Sequence, residues 1–147
     1  MNAIRPKGYL YLGTPYTLFF GGLEEAFRLA CRVSAELIAA GVPTFSPIAH
    51  SHSIAVHGNL DQRDHDLWLS ADAPMMHAAC GLAVYKAQGW EDSRGVREEI
   101  KFFKAERRTI FMLDPGPIAP HYITIMRGLC TSGNVVPLQQ HQEGRGI

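Results

Sequence analysis

The sequence predicts an α/β domain, a mostly parallel sheet of about five strands covered on both faces by helices. Two observations carry this. Short apolar runs bounded by turn residues recur at Tyr9–Leu12, Leu82–Tyr85 and Thr109–Leu113, each of strand length. Between them lie stretches with apolar residues at steps of three and four, the period of a helix. Strands alternating with helices give a parallel sheet, because parallel neighbours need long crossovers and the crossover helices cover the faces. In such sheets ligands bind beyond the carboxyl ends of the strands, where the strand order reverses.

The elements follow in order. The first strand, Tyr9–Leu12, runs into Gly13-Thr14-Pro15-Tyr16-Thr17, a turn-rich loop with three hydroxyls. Leu23 to about Ala40 is the clearest helix, its expected buried face Leu23, Phe27, Ala30, Ser34, Leu37 and Ile38. Gly41 stops it in the usual C-terminal position. Val42–Phe45 reads as a second, short strand whose Pro43 suits an edge or a strand start. The Pro-, Ser- and His-rich stretch from Ser46 to Asn59 reads as a long loop, of the kind that often serves as a lid. Leu60 to Ala79 is helical again, with Leu60, Leu67, Ala71, Met75 and Ala78 on one side and Pro74 expected to kink or split it. After the third strand, Leu82–Tyr85, the chain passes through Gly89–Gly95 into a helix with Val96, Ile100 and Phe103 on one face, ending near Glu106. Thr109–Leu113 is a fourth strand. A short helix near Tyr122–Leu129 and a fifth strand at Val135–Leu138 complete the pattern, and 141–147 is a polar tail.

At 147 residues the chain is read as one domain, 1–147, large enough to bury a core. Lys plus Arg and Asp plus Glu number 14 each, so formal net charge is zero and nothing favours a nucleic-acid polymer as partner. Three cysteines, odd in number and far apart, fit reduced thiols. Arg5 and Lys7 before Tyr9–Leu12 faintly imitate a signal peptide, but Gly13 and Pro15 interrupt the apolar run. No stretch approaches the ~20 apolar residues of a membrane helix, so a cytoplasmic protein without membrane contact is expected.

The chemistry is expected around Gly89–Ile100. Ser93 is a good N-cap, Gly95 lets backbone approach a ligand closely, and the helix N-terminus favours anions. Glu99, one turn in, can serve as nucleophile or base; the bland reading is a solvated helix carboxylate, as for Glu98. Asp72 is the second carboxylate of interest, and its plain alternative is an N-cap for the second half of a helix split at Pro74. Tyr11 and Tyr16 can offer phenol hydrogen bonds, or Tyr11 is simply a core aromatic. His50, His52, His57 and His65 follow no zinc spacing and lie near no cysteine, so neither a metal nor another cofactor is expected; a loop closing over substrate accounts for them better. Lys101, Lys104, Arg107 and Arg108 read as a solvated face.

The segments Tyr11-Leu12-Gly13-Thr14-Pro15-Tyr16 and Gly89-Trp90-Glu91-Asp92-Ser93-Arg94-Gly95-Val96-Arg97-Glu98-Glu99 resemble the nucleoside 2-deoxyribosyltransferase-like superfamily, which includes the 2'-deoxynucleoside 5'-monophosphate N-glycosidases. The resemblance implies a flavodoxin-like (Rossmann-like) three-layer sandwich and a homodimer or higher homo-oligomer with sites near subunit contacts. It implies cleavage or transfer at the N-glycosidic bond of a nucleoside or its 5'-monophosphate, by hydrolase or transferase chemistry. Its glycine four residues before the catalytic glutamate selects Glu99 over Glu98. Asp72 matches the aspartate ahead of the third strand, and Ser93 a serine that binds the 5'-phosphate in the hydrolases. Tyr11 matches the tyrosine of the transferases. Arg127 lies in Ile125-Met126-Arg127-Gly128, similar to a late Ile-Arg-Gly segment close to a subunit contact. The expected site is therefore catalytic Glu99, Asp72 and Tyr11, with Gly13, Thr14, Pro15, Tyr16, Ser93, Gly95, Trp90, His50 and Arg127 binding substrate. The competing expectations are a nucleotide-binding module of the same fold without turnover and, behind it, a flavodoxin-like flavin protein.

Overall fold

The computed structural model describes residues 6–132. Its sheet has four parallel strands in the order β2-β1-β3-β4: β1 Leu10–Gly13, β2 Thr44–Phe45, β3 Gly81–Tyr85 and β4 Thr109–Leu113. The fifth strand expected at Val135–Leu138 lies outside the described residues. Among the described residues five α-helices flank the sheet: α1 Leu23–Ala39, α2 Pro47–Gly58, α3 His65–Ala78, α4 Arg94–Ala105 and α5 Pro120–Ser132, with a single 3-10 turn at Trp90–Asp92.

Alternate strand residues face opposite layers, as the two-residue period of a strand requires. Leu10, Leu12, Ala83, Tyr85, Phe111 and Leu113 pack under Val33 and Leu37 of α1 and Met126 and Leu129 of α5. Tyr11, Leu82, Val84 and Ile110 pack on the other side with Met76 of α3 and Val96 and Phe103 of α4. The result is a three-layer α/β sandwich with flavodoxin-like strand order. The order reverses between β1 and β3, and the loops after these two strands open onto one cleft.

Three expectations about helices are corrected. The stretch 46–59 is not a loop but α2. Ser46 caps it, its Oγ accepting from Ala49 N at 3.0 Å, Pro47 opens it with its fixed φ, and Asn59 ends it in the left-handed region at φ 56°. Its buried side carries Ser51 and His52 beside Pro47 and Ala55, so no apolar stripe announces it. The next helix begins only at His65, capped by Asp64, and leaves Leu60 and Leu67 exposed. It runs unbroken through Pro74, so Asp72 is not the cap of a second half-helix. In α1 the buried face is Ala26, Ala30, Val33, Ser34 and Leu37, and Ile38 is exposed.

Arg108 is not merely solvated. Its guanidinium donates to the carbonyls of Met76, His77 and Ala79, satisfying the end of α3 where the last carbonyls lack helical partners. Arg108→Ala is expected to cost about 1–3 kcal/mol by removing the bonds to His77 O and Ala79 O, while Met76 O keeps the Ala79 N–H, read as a lowered denaturant midpoint.

Candidate functional site

The cleft sits at the carboxyl end of the sheet. Tyr11 and Thr14 come from β1 and its loop, Pro47, Ile48 and Ser51 from the start of α2, Asp72 from α3, and Ser93, Gly95 and Glu99 from the start of α4. The cleft encloses ≈ 670 Å³ of space, part of it open to solvent.

Local sequence explains how each group arrives there. Ser93 Oγ accepts from Val96 N at 3.3 Å and fixes the start of α4. From that start, Val96, Glu99 and Phe103 fall on one buried stripe at steps of three and four. Val96 and Phe103 enter the core, and Glu99 is the ionisable member of that stripe. Glu98 is offset by about 100° and is only half-buried. Gly13 makes room for Glu99: a Cβ at residue 13 would stand 2.8 Å from Glu99 Oε2. Gly95 leaves the helix start open toward the same carboxyl, a Cβ there lying 3.8 Å from Glu99 Oε1 and 4.0 Å from Ser93 Oγ.

The electrostatics are those of two carboxyls withdrawn from water. Glu99 is 7% exposed and Asp72 is 6% exposed. Burial pushes the Glu99 carboxyl well above the usual carboxylate range, with the Asp72 charge adding to it. Burial also pushes Asp72 up to about 6. Tyr11, buried between Phe45 and Phe103, is raised by burial and then by the charges of Glu99 and Asp72. Glu99 Oε2 and Thr14 Oγ1 are buried without hydrogen-bond partners, both on groups that line the cleft. Buried polar atoms are normally satisfied, so unpartnered ones facing a cleft are open to a ligand. The N–H groups in the first turn of α4 lack partners within the helix and carry its positive end.

Of the residues singled out from sequence, Tyr11, Thr14, Tyr16, Asp72, Ser93, Gly95 and Glu99 line one cleft, and Gly13 packs against Glu99. Pro15 is fully buried beside it. Trp90 packs against the core layer of α3 and α4 rather than lining the cleft. His50 is exposed, its ring 5.5 Å from Phe45. Arg127 lies against Gly41, whose φ of +86° turns the chain from α1 toward the amino end of β2. That is the end of the sheet opposite the cleft. Sequence reasoning missed Gln62, Arg63 and Trp68, which line the cleft from the approach to α3 together with His65, one of the histidines read as closing over substrate. The Asp64 cap, three residues before Leu67, was their available signal.

Among the described residues no group of three or more His, Cys, Asp or Glu side chains gathers to hold a metal, and no helix is long and apolar enough to cross a membrane. Cys31, Cys80 and Cys130 are free thiols. The scaffold is one on which many α/β enzymes are built, so the chemistry must be argued from the site. No curated protein matches the sequence. Residues 8–114 match the family described as "Domain of unknown function (DUF1937)", and the chain belongs to that family.

Proposed function

We propose that this protein cleaves the N-glycosidic bond of a (deoxy)nucleoside or its 5'-monophosphate, with Glu99 as nucleophile. One observation carries the reading: two buried carboxyls, the charge of Asp72 raising the proton affinity of Glu99, line one cleft beside an open helix N-terminus. The resemblance to the nucleoside 2-deoxyribosyltransferase-like superfamily assigns the same residues.

Coupled carboxyls share protons, and with one proton between them the pair is an acid and a base at once. In the reactive arrangement Asp72 holds the proton and Glu99 is the carboxylate. A Glu99 oxygen bonds to C1' of the sugar as the C1'–N bond breaks, and the bonding pair leaves on the base nitrogen with the Asp72 proton. Water, deprotonated by Asp72, then attacks C1' of the glycosyl ester and regenerates Glu99; a second base in place of water gives transfer. Ser93 and the α4 N–H groups hold the 5'-phosphate. Tyr11, with its phenol proton retained, is a hydrogen-bond donor beside the reacting carboxyl.

The test is release of free base from a panel of deoxynucleosides and their monophosphates. Release that persists undiminished in Glu99→Ala sinks the assignment. Gly13→Ala is expected to lower base release by about 10–100-fold, because the added Cβ displaces the Glu99 carboxyl from its attack position.

A second reading is favoured by the high affinity of the buried Glu99 carboxyl for its proton. On this reading the cleft binds a nucleotide without turnover. Mononucleotides would then raise stability by about 2.7 kcal/mol at 100 times the dissociation constant, with no base released.

A further inference from the structure

The hydroxyl of Tyr16, on the cleft lining, is 2.5 Å from Nδ1 of His52, and Nε2 of His52 is 2.9 Å from Glu24 Oε2. Three elements meet here: the loop after β1, α2 and α1. His52 is 4% exposed and lies flat on Phe27, with centroids 4.5 Å apart and planes 18° apart, so packing fixes its ring. An ionised carboxylate can only accept, so the Glu24 contact requires a proton on Nε2. The Glu24 carboxyl is held below its ordinary range, first by this hydrogen bond, which agrees with that direction. A neutral imidazole protonated at Nε2 has an acceptor at Nδ1, and Tyr16 must then donate its proton inward. The phenol oxygen is left with lone pairs alone to offer the cleft.

We propose that Glu24 and His52 are positioning residues that hold Tyr16 as a hydrogen-bond acceptor, so that the cleft selects a ligand with an O–H or N–H donor at this point. The proposal rests on the nucleotide reading for the nature of that donor, a sugar hydroxyl or a base amine. A neutral tyrosine unconstrained in this way would accept a ligand donor or acceptor equally. The relay removes the second option, and discrimination of this kind rejects analogues that lack the donor.

The first experiment needs no ligand. Nitrogen-15 NMR of the His52 ring at neutral to alkaline pH is expected to show Nε2 protonated and Nδ1 bare. In Glu24→Lys, where the partner can only donate, the pattern should invert. A proton on Nδ1 in the unaltered protein overturns the relay. The second experiment uses the deoxynucleoside monophosphate that most raises the melting temperature, beside its 3'-O-methyl and N-methylated-base forms. One of the two methylated probes should bind about tenfold more weakly, the loss expected for one hydrogen bond, and Tyr16→Phe should abolish that difference. Tyr16→Phe should raise KM about tenfold with kcat nearly unchanged, the mark of lost uniform binding. His52→Asn, which keeps a carbonyl acceptor near Nδ1, should retain most of the binding that His52→Ala loses. Equal binding of all probes by the unaltered protein and Tyr16→Phe overturns the proposal even where base is released. Absence of base release from every probe removes the glycosidase reading and leaves the relay to be judged by NMR and the binding differences.

Discussion

Glu99→Gln is expected to lower base release by about a thousandfold or more while making the protein harder to unfold at alkaline pH. The two effects have one origin. Glu99 is buried, its Oε2 has no hydrogen-bond partner, and its carboxyl holds its proton more tightly than a solvated one. An amide of nearly the same shape cannot form the glycosyl ester, so the chemical step is lost. It also cannot ionise, so the cost of a buried negative charge vanishes. The folded protein binds more protons at Glu99 than the unfolded chain does. That contribution to stability is fully present below about pH 4, the ordinary range of the group, and is lost as pH rises through the higher folded value. The melting temperatures of the two proteins should therefore converge at low pH and separate as pH rises, with the variant higher. A carboxyl that only supports structure predicts the reverse: a lower melting temperature with base release intact. Glu98→Gln is the control, and neither measurement should move, because that carboxyl is half-buried on another face of α4.

The choice of Glu99 over Glu98 came from the resemblance, through Gly95 four residues before Glu99, while local signals gave the helix that carries both. The Ser93 cap fixes where α4 begins, and the spacing Val96, Ile100, Phe103 fixes which way it faces. The strands were legible because their residues are buried on both sides and read as short apolar runs. The helix α2 was not, because its buried side is occupied by Ser51 and His52, whose polar groups are satisfied by Pro47 O and by Tyr16 and Glu24. A histidine made acceptable to the interior by a tyrosine from one element and a glutamate from another leaves no periodic trace. Arg108 was illegible for the same reason, since its three carbonyl partners lie about thirty positions away in sequence. Local rules thus found the helix of the nucleophile candidate, and missed the groups whose roles exist only through tertiary contact.

Base release is expected to rise as pH increases through about 6 and to fall again at higher pH, and Asp72→Asn should both flatten this profile and stabilise the protein at neutral pH. In the lower limb both carboxyls are protonated and neither can attack. Loss of the first proton, near the value of about 6 to which burial raises Asp72, creates the singly protonated pair, whose minor form with the proton moved to Asp72 and Glu99 ionised is the reactive one. In the upper limb the second proton leaves, with the higher affinity of the Glu99 site, and no acid remains for the departing base. These limbs belong to the pair and not to either residue alone. For stability the sign follows from the raised folded value. The contribution is full below the unfolded value of 3.8 and is lost as pH rises through about 6, so it is gone by pH 7. A rise of this size corresponds to about 1–3 kcal/mol once solvent screening at the open cleft is allowed for. The asparagine variant should therefore melt about 3–10 °C higher at neutral pH and show no difference under acid conditions. The same variant should cost base release most strongly for substrates whose leaving base needs protonation. A pH-independent melting difference would mean that Asp72 is held by hydrogen bonds rather than destabilised by burial, and the pair would then lack the proton that the mechanism moves.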